Sequence, residues 1–209
     1  MRLIFIRLAF AAILIAGVAQ AQQTKPEDKY KRQEVMIAMR DGIKLHTVIF
    51  TPKTHTEKLP FLMLRTPYGV NGYPSPEKNG YVKDMANDGD GYIFVYQDIR
   101  GRYLSEGKYA MMRFSRDKKD PKAIDESSDT YDTIDWLLKN VPDNNGKAGM
   151  YGISYDGWTT IIAASDPHPA LKAVSEQATP SDMFMNDDLH HNGAFRLSYA
   201  FEYAFMEEI

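Results

Sequence analysis

The chain has 209 residues, of which 44% are hydrophobic, 12% aromatic and 25% charged, the make-up of one globular domain or part of one. A formal charge of −3 gives no basic field and excludes nucleic acid as a partner. The absence of cysteine excludes a disulfide framework and a lipid-attachment thiol.

The opening "MRLIFIRLAFAAILIAGVAQAQQ" carries Arg2 and Arg7, an apolar run from Leu8 to Val18, and Ala19-Gln20-Ala21 as a small-x-small cleavage site. Residues 1–21 therefore read as a secretory signal, since the run is short of the ~20 residues a membrane span needs. The mature chain is expected in the periplasm or outside the cell, with no membrane association after cleavage. Residues 22–32 are polar and aperiodic and read as a flexible lead-in.

Residues 34–39 and 43–52 alternate or run apolar around Arg40-Asp41-Gly42, whose Asp-Gly is a tight-turn signal, and predict a β-hairpin. Residues 60–68 form a nearly continuous apolar strand, suited to a sheet covered on both faces. Helix and strand then alternate. A short helix is predicted at 81–88 and a buried strand at 92–98. A longer helix is predicted at 126–141, where Tyr131, Ile134, Leu138 and Val141 recur at helical steps and Asp125, Glu126 and Asp129 sit at the positive end of the dipole. A strand at 146–153, a helix at 156–166 and a strand at 171–178 follow. This order implies an α/β fold, a mostly parallel sheet flanked by helices. Residues 97–109 form a long polar loop. Residues 191–209, with Phe195, Tyr199, Phe201, Tyr203 and Phe205, read as one helix whose aromatics need cover on more than one side.

Gly152-Ile153-Ser154-Tyr155-Asp156-Gly157 reads as a G-x-S-x-G turn at a strand-to-helix junction. Such a turn strains the serine backbone and presents its hydroxyl at the carboxyl edge of the sheet. The flanking positions must then be nearly free of side chains, and Gly152 and Gly157 fall close to them. The same turn aims the Tyr155 N–H at the place where an acyl oxyanion forms.

A serine needs a base. Of the five histidines, His46 and His55 precede Ser154 and His168 is pinned between prolines. His190 and His191 follow acids Asp182, Asp187 and Asp188 but arrive after one further strand, too early for a triad histidine of this fold. The base is therefore expected outside this sequence, which reads as the front part of a larger enzyme, inactive alone.

"MRDGIKLHTVIFTPK", "LRTPYG", "QDIRGRYLSEGKY", "DTYDTIDWLLKNVPDNNGKAGMYGISYDGWTT", "DPHPALKAVSEQATPSD" and "NDDLHHNGAF" together resemble the X-prolyl dipeptidyl peptidase-like serine hydrolases, the group holding cocaine esterase. The α-amino acid ester hydrolases are the nearest in pattern, and tyrosine directly after the serine is a mark of the group. The resemblance implies an incomplete α/β-hydrolase fold, with 22–180 the front of the hydrolase domain and 181–209 the start of a helical cap. It implies acyl transfer through an acyl-serine, with Ser154 as nucleophile, the Tyr155 N–H as one oxyanion donor and the Tyr68 hydroxyl as the other. Tyr68 closes a buried strand at the same sheet edge, which suits that role.

By the same resemblance Asp188 matches one of a carboxylate cluster that holds the substrate's α-ammonium. The substrate class is then a small ester, amide or peptide of an α-amino acid, with no cofactor and no metal, and a homo-oligomeric full-length form is compatible. The family's acid and histidine fall beyond Ile209. A proline-specific dipeptidyl peptidase, a broad esterase and a non-catalytic binding relic are the alternatives.

Overall fold

The computed structural model describes residues 29–87, 91–113, 115–120, 122–180 and 185–208. The secretory-signal reading of residues 1–21 lies outside them. Among the described residues no helix is long and apolar enough to cross a membrane.

The predicted hairpin is β1 (Tyr30–Ala38) and β2 (Lys44–Pro52), antiparallel, with Val35 opposite Thr47. At its turn Gly42 takes φ +87°, a conformation that glycine adopts without strain. The Asp41 carboxylate accepts the Ile43 N–H at 3.2 Å. β1 starts at Tyr30, inside the segment expected to be a flexible lead-in. Its register continues to Tyr30 opposite Pro52, and the Tyr30 ring is buried edge-on to Phe94 at 5.7 Å. The β1–β2 ladder and the buried Tyr30 ring thus hold residues 30–32, which composition alone marks as loose.

β3 (Leu59–Thr66), β4 (Ile93–Asp98), β5 (Asn144–Ile153) and β6 (Leu171–Gln177) complete a six-stranded sheet in the order β1-β2-β4-β3-β5-β6. The β3–β4, β3–β5 and β5–β6 pairs are parallel. The unbroken apolar runs of β3 and β4 follow from cover on both faces. Phe61, Met63, Ile93 and Val95 point into one core with Ile134 and Leu137, whereas Leu64, Phe94 and Tyr96 point into the other with Val70 and Val82.

The described residues form four α-helices: α1 (Lys83–Asn87), α2 (Glu126–Asn140) and α3 (Tyr155–Ser165), which flank the sheet, and α4 (Leu197–Glu208), which meets the loops after β3 and β4 through Tyr203 and Glu207. A capping box starts α2. The Asp125 carboxylate accepts the Ser128 N–H at 2.8 Å, and Ser128 Oγ accepts the Asp125 N–H at 2.9 Å.

Residues 191–209 are not one helix. Asn186–Asp187, His190–His191 and Ala194–Phe195 are β7, β8 and β9 of a small antiparallel sheet that precedes α4. Asn192 and Gly193 turn β8 into β9 with φ of +49° and +80°. Asn-Gly is a hairpin signal, and it outweighs the aromatic spacing that suggested a helix.

The polar loop after β4 is anchored at its start by a buried arginine, while Tyr103, Leu104 and residues 106–108 are exposed. Arg100 is buried and forks onto Asp129 of α2, with Nη2 2.7 Å from Oδ1, and onto Asp41 of the hairpin turn, with Nη1 2.7 Å from Oδ2. Beneath it, fully buried Arg65 of β3 donates to Gln97 at 2.7 Å and pairs with Glu126 at 3.0 Å. Both guanidiniums tie β3 and the loop to the first turn of α2, under the carboxyl edge of the sheet.

Candidate active site

β5 ends and α3 begins at Ser154, whose backbone has φ +61° and ψ −122°. A non-glycine residue there stores strain of ~1–3 kcal/mol. The turn is held by its neighbours: the Ser154 N–H donates to the Gln177 carbonyl of β6 at 2.9 Å, and the Ser154 carbonyl accepts the Trp158 N–H at 3.0 Å. Ser154 is exposed. A Cβ on Gly152 would lie 2.1 Å from the Asp156 carbonyl oxygen, and one on Gly157 would lie 2.6 Å from Thr179 Oγ1 and 2.7 Å from the Gln177 carbonyl.

These distances refine the motif. The second glycine stands three positions after the serine, and Asp156 occupies the place that G-x-S-x-G gives to glycine. The pattern here is G-x-S-x-x-G. The close contact that demands a small residue is made by Gly157 against β6, which leaves position 156 room for a carboxylate.

Two clefts meet at Ser154. One, of about 460 Å³, is lined by Ser154, Asp156, Tyr68, Tyr73, Tyr81 and Tyr151 among others. The narrower one, on the other side, is lined by Ser154, Met112, Tyr155, Asp188, Tyr199 and Tyr203. Tyr68 thus lines the first cleft with Ser154, and Asp188 the second. Asp188 is exposed, and its N–H donates to the Asp187 carboxylate at 2.8 Å. Tyr155 is buried and its hydroxyl accepts the Met112 N–H at 2.9 Å, so the side chain anchors the start of α3. Its backbone N–H falls in the first turn, where no intrahelical acceptor is available.

Tyr68 sits on the loop after β3. Burial raises its phenol pKa above the ordinary value. It thus stays protonated and able to donate, and its hydroxyl lies 3.0 Å from that of Tyr203. The loop is fixed from below by Asp98, at the end of β4, which accepts the Val70 N–H at 2.8 Å and contacts His46 Nδ1 at 2.9 Å. His46 is buried in that clamp. His168 Nδ1 accepts the Ala170 N–H at 3.0 Å, a turn role. Among the described residues no histidine is hydrogen-bonded to Ser154. The His190 ring stands against Phe195 at 5.2 Å.

Asp156 is the residue that sequence reasoning passed over. Its Oδ1 is buried with no hydrogen-bond partner among the described residues. Burial pushes its pKa up to about 7, against a hydrogen bond with Thr66 that favours the charged form; the Glu207 carboxylate adds to the rise. A carboxyl at a glycine position of the turn was the available signal.

A family model for X-Pro dipeptidyl-peptidase (S15 family) matches residues 41–207. The chain belongs to the S15 family. This S15 chain is 30% identical over 155 residues to cocaine esterase of Rhodococcus sp. (strain MB1 Bresler), a match covering 72% of the chain and 24% of that protein. It superposes on an α-amino acid ester hydrolase with a TM-score of 0.73 and 42% identity, covering 86% of the chain and 31% of that structure. A crystal structure of an aminopeptidase from the marine sediment archaeon Thaumarchaeota archaeon gives 0.76 and 40%, covering 90% and 32%. The S15 chain thus spans between a quarter and a third of these relatives' length, and its mostly parallel sheet with flanking helices is an incomplete α/β-hydrolase fold. It is a member of a hydrolase family whose relatives are esterases and peptidases.

Proposed function

We propose that the full-length protein is an exported serine hydrolase that cleaves esters or amides of α-amino acids through an acyl-serine. The observation that carries this is Ser154, held at φ +61° between β5 and α3, exposed, with Tyr68 in one adjoining cleft and Asp188 in the other. Ser154 Oγ attacks the acyl carbon, and the tetrahedral oxyanion accepts hydrogen bonds from the Tyr155 N–H and the Tyr68 hydroxyl. Asp188 meets the substrate's α-ammonium. The base and acid that activate Ser154 come from the remainder of the enzyme, whose relatives are about three to four times longer than the part matched. Two structural relatives at 40% identity or more, an amino acid ester hydrolase and an aminopeptidase, act by name on an α-amino acid in the acyl position, which supports this class over a broad esterase.

A fluorophosphonate probe is expected to label Ser154 in the full-length enzyme and leave Ser154→Ala unlabelled; absence of labelling favours a binding relic. Asp188→Asn is expected to weaken turnover of a phenylglycine ester far more than that of an unsubstituted acetate. Equal losses sink the amino-ester reading. Export is tested by the amino terminus of the mature protein, expected at Gln22.

A further inference from the structure

A buried charged cluster away from the clefts reaches the Tyr68 loop from below. Asp98 ends β4 and is wholly buried. Its Oδ1 accepts the Val70 N–H at 2.8 Å, two residues past Tyr68. Its Oδ2 lies 2.9 Å from His46 Nδ1 on β2, and His46 Nε2 lies 3.2 Å from Glu34 Oε2 on β1. A carboxylate oxygen only accepts, so each ring nitrogen that meets one must donate, and the imidazolium alone donates from both. Glu34, His46 and Asp98 therefore read as a charged strut across three strands that ends on a backbone N–H of the loop. The strut is tied in again by its own backbone: the His46 N–H donates to Ser105 Oγ at 2.8 Å, and Ser105 Oγ donates to the Asp98 carbonyl at 2.7 Å.

Tyr68 itself is exposed, so its place depends on the backbone either side of it. On the near side its N–H donates to Thr66 Oγ1 at 3.2 Å, and the Pro67 carbonyl accepts Arg102 Nε at 3.0 Å. On the far side Val70 buries its side chain in the core and turns its N–H to Asp98. A hydroxyl that meets a forming oxyanion must be held within about 0.5 Å of its productive place. We propose that Asp98 and His46 are positioning residues for the oxyanion donor: their ion pair, extended to Glu34, holds the loop so that the Tyr68 hydroxyl stays over Ser154. The assignment rests on the reading of Ser154 as nucleophile and Tyr68 as donor.

The test is the rate at which a fluorophosphonate inactivates the full-length enzyme, resolved into probe affinity and maximal rate. Tyr68→Phe is expected to slow the maximal rate about 100-fold, the cost of one oxyanion donor. Asp98→Ala, which unpins the loop, is expected to slow it about tenfold with probe affinity nearly unchanged. Asp98→Asn keeps an acceptor for Val70 and should recover part of that loss. In the Tyr68→Phe background Asp98→Ala should cost less than about twofold more, because the group it positions is gone. Amide exchange over residues 67–73 should quicken in Asp98→Ala while that over 150–158 holds. If Asp98→Ala does not fold, the same cycle with His46→Gln decides, with a loss of about threefold alone and none beside Tyr68→Phe. A loss repeated in full in the Tyr68→Phe background assigns Asp98 a general structural role and overturns the proposal. Inactivation of Asp98→Ala at the wild-type rate overturns it too. A wild type that is never labelled removes the serine reading and this assignment with it, an outcome distinct from labelling with additive losses.

Discussion

At Ser154 the local backbone is uphill and the surroundings hold it there. The +61° φ costs a side chain but not glycine, so Ser154→Gly is expected to raise the unfolding free energy by ~1 kcal/mol while abolishing probe labelling; Ser154→Ala, which keeps the Cβ, should show no such gain. Thermal or urea unfolding of the two variants checks this, and equal midpoints would contradict the strain. Asp156 makes a second residue-scale prediction. Its pKa is raised by burial to about 7, from an unfolded value near ~4. The folded state therefore binds the proton more tightly than the unfolded state. The stabilisation this gives is fully present below ~4 and is lost as pH rises to about 7, at no more than ~1.4 kcal/mol per pH unit. Relative to the wild type, Asp156→Asn is expected to gain stability between those limits and to run parallel above them. Urea melts at half-unit pH steps read the difference, and a flat one excludes a buried, ionising Asp156.

At the scale of elements, the first turn of α2 serves as a charged hub. Arg65 is fully buried, and Glu126 beside it is held above the usual carboxylate range by burial, with Arg65 opposing that rise. Replacing Arg65 with Met keeps the volume but leaves Glu126 without its guanidinium in a dry site, beside Asp129, which keeps Arg100. The expected loss is ~3–5 kcal/mol, the cost of breaking one side of a buried pair. Adding Glu126→Gln to Arg65→Met should recover part of it, and a null effect of Arg65→Met would show that the hub is structurally idle. This hub was not legible in the sequence. Periodicity located β3 and α2, because apolar residues repeat at steps set by the backbone, but Arg65 sits in an apolar strand and pairs with residues sixty positions on. Nothing local encodes that. The elbow was legible for the opposite reason, since strand, glycine, serine and helix are contiguous. Tyr68 and Asp188 came from resemblance rather than spacing, and the structure supplies the shared clefts. Asp156 was missed because the motif was read as satisfied when a glycine stood one position late.

The large sheet has two edges, β1 and β6, each paired on one side only among the described residues and each exposed along most of its length. Ile153, Ile161 and Val174 are exposed near the β6 edge, and Phe201 and Phe205 stack at 6.3 Å on an outward face of α4. A strand edge left unpaired invites a second strand even though Lys172 and Glu176 flank Val174 on it, and an apolar patch invites cover. Both surfaces suit burial in an enzyme of the relatives' length. In the chain alone they are expected to drive self-association at tens of micromolar, seen by sedimentation velocity as species heavier than the 23.8 kDa monomer. Val174→Lys replaces the exposed apolar side chain between Lys172 and Glu176 with a further charge, and Phe201→Ser with Phe205→Ser removes the stacked pair. Each should shift the distribution toward monomer, and because one acts on the sheet edge and the other on α4 the shifts should combine. If the edge dominates, Val174→Lys alone suffices and the aromatic changes do little; a wild-type chain that sediments as a monomer throughout means that neither surface is sticky enough to matter.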